Sequence, residues 1–498
     1  MKKALIRFGL MVALAVPLAL QASCNSNMVG GGPEDGGAND DSGTIITEPP
    51  KIPGCVGVCL VNNSCPASGP TTITGTVTIP SGLLPLYNAK VYIPVGDAMP
   101  PPPPSGVSCD RCGNNPSPFY TTTDVKGQFA LKNVPSGQNI PLIIQVGKWR
   151  RTITLPPIAD CTTTALPAAQ TRLPKNQSEG NIPKIALSTG ALDAMECILR
   201  KNKLGLDDTE FTNPDKNGRV NLYAGAGGTD RFQAGGTLFP TSAPWWDTAE
   251  NWQQYDIVMM SCEGAANAAA LTKKMPSARQ SMQTYLNLGG RVFLSHWHNV
   301  WLQNAVAAPP PSTEPPLSSV AQFVDAASDP GYTNDTTLDE ATIDISTPKG
   351  MALKDWLTNA TALNANGTLP VKYSKATLTK RNGNVNPSTE NPNPAYAKNL
   401  ITLTKTAGAL NANLASPPPQ YFAFNAPLSQ PANNQCGQLV FTDLHISGAP
   451  SNMAGDHSAN GTLMAFPNGC TTTTLSPQEM ALIFLIFDLT SCLAPVIG

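Results

Sequence analysis

Short runs of β-branched and apolar residues alternate with Pro, Gly and Asn between residues 71 and 155. The segments TTITGTVTI, AKVYIPV, GQFALKNV, PLIIQV and RRTITL each have the length and composition of a strand. Regularly spaced short strands without helical periodicity are typical of a sandwich. The pattern therefore predicts an all-β sandwich over 71–155, followed by a linker over 156–182.

The rhythm changes after residue 182, where apolar strands alternate with helical segments. KIALST, YDIVMMSCEG and RVFLSHWH are buried-strand patterns, and helices are predicted from about Ala191 to Lys203 and over PSARQSMQTYLNLGG, which stops at Gly289. Such alternation predicts a parallel sheet that is covered on both faces. Residues 183–498 are thus expected to form a flavodoxin-like, three-layer α/β domain.

The last third of the chain is less regular. A Pro- and Asn-rich segment around 306–420 is predicted to be an insertion that contains a helix near 349–357, and QYFAFNAP and CGQLVFTDLHISG are predicted strands. In LSPQEMALIFLIFDLTSC, Ser476 is placed as the N-cap, Pro477 as the first helical residue and Glu479 as the partner in a capping box. This segment is the clearest helix in the sequence.

The N-terminus has the features of an export signal. Basic residues precede the apolar run GLMVALAVPLAL, which is shorter than the roughly 20 residues that a membrane helix requires. The following LQASC resembles a bacterial lipobox, with Gln21 as its departure, and implies lipidation at Cys24. Residues 25–70 are expected to be a disordered, Cys-containing tether. The expected location is the outer membrane or cell surface; the alternative is cleavage near Ala22 and a periplasmic or secreted product.

Composition excludes one class of partner. Charged residues make up 13% of the chain and the formal net charge is −2, so the chain carries no basic footprint for nucleic acid. Low charge with abundant Pro and Gly is typical of an exported, loop-rich protein.

Twelve cysteines fit an oxidising compartment. Besides Cys24, six precede residue 170 and can form three disulfides among themselves, and five follow it, so that one of these stays free or pairs across domains. The loop that contains Cys109 and Cys112 is expected to be clipped by these two residues. The disulfide candidates are Cys55, Cys59, Cys65, Cys109, Cys112, Cys161, Cys470 and Cys492.

The predicted sandwich resembles the carboxypeptidase-regulatory-like, or prealbumin-like, domain. The resemblance rests on ITGTVTIPSG, LYNAKVYI and TTTDVKGQFALKNVPSG, in which Gly127 is expected to permit a tight turn before Phe129 enters the core. The family implies a structural or adhesive role, with a loose link to carbohydrate binding, and supplies no catalytic residues.

The α/β region resembles the class I glutamine-amidotransferase-like fold, in particular its trehalose-utilisation-type branch. YDIVMMSCEG, NLGGRVFLSHWH and CGQLVFTDLHISG carry the resemblance. The family's nucleophilic cysteine would fall near His296, so the nucleophile is missing. Cys262, one strand earlier, could act as a nucleophile with His445 as its base; the alternatives are a half-buried thiol or a disulfide with Cys197.

A metal site that contains the histidines is the alternative to a catalytic cysteine. His296 and His298 would face one side if their strand extends through both, and Asp443 and His445 have the same spacing on another strand. Because carboxyl ends of parallel strands border the ligand crevice, these four residues could hold zinc with an open position. The other reading of these histidines is that they are structural. Asp456 and His457 lie close by in the sequence.

Taken together, these features predict a cell-envelope lipoprotein with a non-catalytic binding or structural role and no cofactor. The expected partners are the membrane, through the lipid anchor, and an envelope glycan or protein, with Trp245 and Trp246 as a pair that could stack on a sugar. The alternative is a metal-dependent hydrolase that uses His296, His298, His445 and Asp443.

Overall fold

The computed structural model describes residues 61, 64–65, 69–95, 99–113, 115–264, 274, 276–302, 316–323, 339–372, 377–378, 392–405, 415, 417–446, 458–459 and 462–493. The leader, Cys24, Cys55, Cys59, Asp456 and His457 lie outside these residues. Among the described helices, none has the length and apolar character needed to cross a membrane.

Two small antiparallel-rich sheets form the N-terminal part, and all five strands expected there are present. Gly127 adopts a φ of +69° in the turn before β4, as expected. Two strands were not predicted: β3, and β7, which lies in the expected linker and pairs in parallel with β1. The sheets have the orders β4-β1-β7 and β3-β2-β5-β6. The strands are β1 (Thr72–Thr76), β2 (Lys90–Ile93), β3 (Phe119–Thr122), β4 (Gln128–Lys132), β5 (Pro141–Val146), β6 (Trp149–Thr154) and β7 (Thr163–Ala165).

A ten-stranded sheet forms the second part, in the order β14-β13-β15-β16-β17-β12-β11-β8-β10-β9. The run from β17 to β9 is parallel. It is extended by antiparallel strands: β16, which is the predicted strand QYFAFNAP, and β15, β13 and β14, which come from the segment expected to be an insertion. The strands are β8 (Ile185–Ser188), β9 (Phe211–Thr212), β10 (Val220–Tyr223), β11 (Ile257–Met260), β12 (Arg291–Ser295), β13 (Asp339–Ile343), β14 (Leu369–Val371), β15 (Ala397–Lys405), β16 (Pro419–Ala426) and β17 (Gly437–Thr442), with a separate pair β18 (Ser458–Ala459) and β19 (Thr462–Leu463).

The helices are α1 (Ala168–Thr171), α2 (Met195–Leu199), α3 (Ser242–Trp246), α4 (Ala249–Gln253), α5 (Pro276–Asn287), α6 (Pro348–Asn359) and α7 (Pro477–Thr490). The capping box of α7 is confirmed, because the Ser476 hydroxyl accepts from the Glu479 N–H and the Glu479 carboxylate accepts from the Ser476 N–H. The predicted helix over 191–203 is reduced to α2.

The large sheet is buried on both faces. Along β12, Val292 and Leu294 pack into a core with α5, whereas Phe293 points into a second core with α7, as the two-residue period of a strand requires. That second core also contains buried residues of the two small sheets, and Trp149 of β6 lies 5.6 Å from Phe487 of α7, centroid to centroid. Residues Gly54–Gly498 accordingly form one compact unit.

Among the described residues, four disulfides join segments that are distant in sequence: Cys65–Cys161, Cys109–Cys436, Cys112–Cys492 and Cys197–Cys470. The expectation that Cys109 and Cys112 clip their own loop is wrong. The small sheets pack against α7, so this loop lies beside the residues that follow α7, where the Cys112 N–H donates to the Leu493 carbonyl at 3.0 Å. Both cysteines therefore bond to the α/β part.

Candidate functional site

Three neighbouring parallel strands end at one edge of the large sheet, and each is followed by a side chain with metal-binding or nucleophilic chemistry. Cys262 follows β11, His296 follows β12 and His445 follows β17. Since β12 lies between β11 and β17, the carboxyl ends of the three strands place these residues side by side.

The three side chains converge on a single point. Cys262 Sγ, one nitrogen of His296 and one of His445 lie within 4.8 Å of one another. Cys262 Sγ is 3.3 Å from His296 Nδ1, and the two imidazole rings are 5.0 Å apart, centroid to centroid. Cys262 and His296 are fully buried and His445 is 2% exposed. This is a closed cluster of one thiol and two imidazoles.

His296 occupies an unusual backbone conformation. It is the first residue after β12, it has a φ of +40°, and it begins a 3-10 turn over His296–Trp301. Positive φ is uncommon for a residue with a Cβ and costs free energy unless its surroundings fix it. The turn directs the imidazole towards Cys262, whose Sγ lies 3.3 Å from His296 Nδ1.

The same turn removes His298 from the cluster. The expectation that His296 and His298 face one side is wrong, because β12 ends at Ser295 and strand alternation no longer applies. Trp301 Nε1 donates to His298 Nδ1 at 2.9 Å, so the ring proton lies on Nε2, 2.9 Å from the Ser261 carbonyl. Burial, followed by the Lys274 charge, holds the pKa of His298 well below its usual value. His298 is a neutral structural histidine.

Asp443 is also outside the cluster. Its carboxylate accepts from the Thr377 N–H at 3.0 Å and from the Thr377 hydroxyl at 2.7 Å. It therefore ties a neighbouring loop to the end of β17, while His445, two residues later, reaches the cluster.

Cys262 was expected to be a nucleophile, a half-buried thiol or a partner of Cys197, and the last two are wrong. Cys197 is bonded to Cys470, and Cys262 is a fully buried free thiol. Burial, followed by the Asp193 charge, raises the pKa of Cys262 well above its usual value, although the N–H groups of Trp297 and Gly264 point at the sulfur and oppose that rise. A thiol in this state is a weak nucleophile.

Sequence reasoning missed two features of the site. Cys262 was not considered as a metal ligand, although the order of parallel strands could have placed it beside His296. Asp193, in the loop after β8, was missed altogether. Its buried carboxylate accepts from the N–H groups of Cys262 (3.4 Å) and Ile446 (2.9 Å) and from the Ser295 hydroxyl, and burial raises its pKa.

A buried ion pair lies next to the cluster. Glu263, the residue after Cys262, forms an ion pair with Lys274, and both side chains are inaccessible to solvent. Lys274 Nζ also lies 5.6 Å from the centre of the Trp246 ring. Because the two charges balance one another, this pair adds no net charge to the surroundings of Cys262.

Comparisons with known proteins give little further information. No protein-family model and no curated protein matches the chain. Among solved structures, the chain is similar to a crystal structure described as a ThuA-like protein from Bacteroides uniformis, with 11% identity, 61% of this chain and 91% of that chain covered, and a TM-score of 0.29. A likeness at that TM-score carries no argument about fold or function.

Proposed function

We propose that this protein is an exported, non-catalytic binding protein whose α/β part holds one transition-metal ion on Cys262, His296 and His445. The observation that carries the proposal is the convergence of one sulfur and two imidazole nitrogens within 4.8 Å at the carboxyl edge of the sheet. Among the described residues, this is the group of His, Cys, Asp and Glu side chains whose ligand atoms meet in this way.

The ligand set has a defined chemistry. A thiolate and two neutral imidazoles suit zinc and copper, whereas magnesium and calcium require oxygen ligands. Zinc bonds of about 2.0–2.3 Å place neighbouring ligand atoms roughly 3.5 Å apart, close to the 3.3 Å between Cys262 Sγ and His296 Nδ1. Zinc is therefore the first candidate, and His298 and Asp443 are not part of the proposed set.

Burial favours retention of the ion over turnover of a substrate. All three ligand side chains are at most 2% exposed, so an ion bound to them would be shielded from solvent by the described residues. A metal-dependent hydrolase is the second candidate, because three protein ligands leave one coordination position for a water molecule. The same cluster would then supply the catalytic ion.

Export is part of the proposal. The four disulfides are the bonds that oxidising compartments maintain, and an anchor at Cys24 would hold the protein at the outer membrane or cell surface. The described structure gives no support to sugar stacking on Trp245 and Trp246, because both indoles are buried against Trp252 and Trp301. An envelope glycan or protein partner would have to use another surface.

The test is the metal content of the purified full chain, measured by elemental mass spectrometry. We expect about one zinc or copper ion per chain, loss of that ion in Cys262→Ser, and retention in the matched control His298→Gln, which changes a buried histidine outside the cluster. A wild-type chain that takes up neither ion after incubation would refute the proposal. Ester hydrolysis by the loaded wild type that is absent from Cys262→Ser would instead favour the hydrolase.

A further inference from the structure

One carboxylate touches all three backbone segments that carry the proposed ligands. Asp193 accepts a hydrogen bond from the N–H of Cys262 itself, from the hydroxyl of Ser295, which precedes His296, and from the N–H of Ile446, which follows His445. Asp193 is 1% exposed. These three hydrogen bonds converge on a side chain that lies outside the ligand set.

The three ligands need such support because none of them lies within a strand. Cys262 and His445 follow the last paired residues of β11 and β17, and His296 sits in a turn at positive φ. Ladder hydrogen bonds therefore do not fix these positions. The Asp193 segment is itself held, because the Leu192 N–H donates to the Cys262 carbonyl at 2.9 Å and the Ala191 N–H donates to the Ala226 carbonyl at 3.1 Å.

We infer that Asp193 is the positioning residue of the metal site; this inference rests on the proposed metal-binding function. Residues that orient metal ligands in this way are a recurring part of metal centres. Asp193 would act through the ligands, because its hydrogen bonds go to the segments that carry them.

The experiment compares Asp193→Asn with wild type by titration of the full chain with zinc(II), cobalt(II) and copper(I). We expect zinc affinity to fall about 10- to 100-fold in Asp193→Asn. The visible spectrum of the cobalt(II)–thiolate complex should also change, since it reports ligand geometry. Asp256→Asn is the matched control: Asp256 is a buried carboxylate that accepts from the Lys184 N–H at the opposite end of β11, and its loss should leave affinity and spectrum unchanged.

A second variant covers the case in which Asp193→Asn does not fold. Ser295→Ala removes one of the three hydrogen bonds and keeps the carboxylate, and we expect a smaller loss of zinc affinity with an altered cobalt spectrum. Unchanged affinity and spectrum in a folded Asp193→Asn or Ser295→Ala variant would overturn the inference, as would an equal loss in Asp256→Asn. A wild-type chain that binds none of the three ions would refute the proposed function itself, so the two failures are distinguishable.

Discussion

The Cys112–Cys492 disulfide should contribute substantially to stability, because it ties the sandwich to the C-terminus of the α/β part. Its cysteines are 380 residues apart in sequence, but Cys109–Cys436 already joins the same two regions. Through that bond, Cys112–Cys492 closes a ring of about 60 residues. Loop-closure entropy for a ring of that size predicts a loss of about 4 kcal/mol when the disulfide is removed.

The assay is urea unfolding of the Cys112→Ser/Cys492→Ser double variant, which leaves no unpaired thiol at the site, together with hydrogen exchange. Two backbone hydrogen bonds cross this junction: the Cys112 N–H donates to the Leu493 carbonyl, and the Leu493 N–H donates to the Asp110 carbonyl. We expect both amides to lose protection in the double variant. The matched control removes Cys65–Cys161, which closes a separate ring within the N-terminal part and should leave these two amides protected.

A stability loss below about 1 kcal/mol, with both amides still protected, would refute this reasoning. The packing of Trp149 on Phe487 would then be sufficient to hold the two parts together, and the disulfide would add little.

Two further predictions concern local interactions. Ser476→Ala should destabilise the chain by about 1 kcal/mol, because it removes the hydroxyl that accepts from the Glu479 N–H at the start of α7; an unchanged urea midpoint would contradict this. Arg172 holds the pKa of Glu179 at about 2, below its ordinary value of 4.5. A lowered pKa in the folded state means that the ionised carboxylate stabilises the chain above pH 4.5 and that this contribution is lost as the pH falls towards 2. The stability difference between wild type and Glu179→Gln should therefore be largest above pH 4.5 and should fall steeply towards pH 2, vanishing below it; a constant difference across this range would show that the ion pair is not its source.

Local sequence patterns were sufficient to predict these strands and helices. The apolar run in RVFLS and the N-cap signal of Ser476 depend on residues close in sequence, and they produced the expected strand and helix. Such signals are reliable because side-chain direction in a strand and hydrogen bonding at a helix N-terminus are decided within a few residues. The presence of β-rich and α/β parts followed from the same patterns.

Tertiary structure decided which residues belong to the site. Sequence spacing grouped His296 with His298 and Asp443 with His445. In the structure β12 ends at Ser295, so His296 and His298 do not share a strand face, and the Asp443 carboxylate accepts a hydrogen bond from Thr377. Only the strand order β17-β12-β11 brings Cys262, His296 and His445 together. The pairing of Cys109 with Cys436 likewise depends on how the sandwich packs against the sheet. The sequence by itself determined where the chain forms strands and helices, because those interactions are local. Which distant side chains meet depends on strand order and packing, which no local pattern specifies.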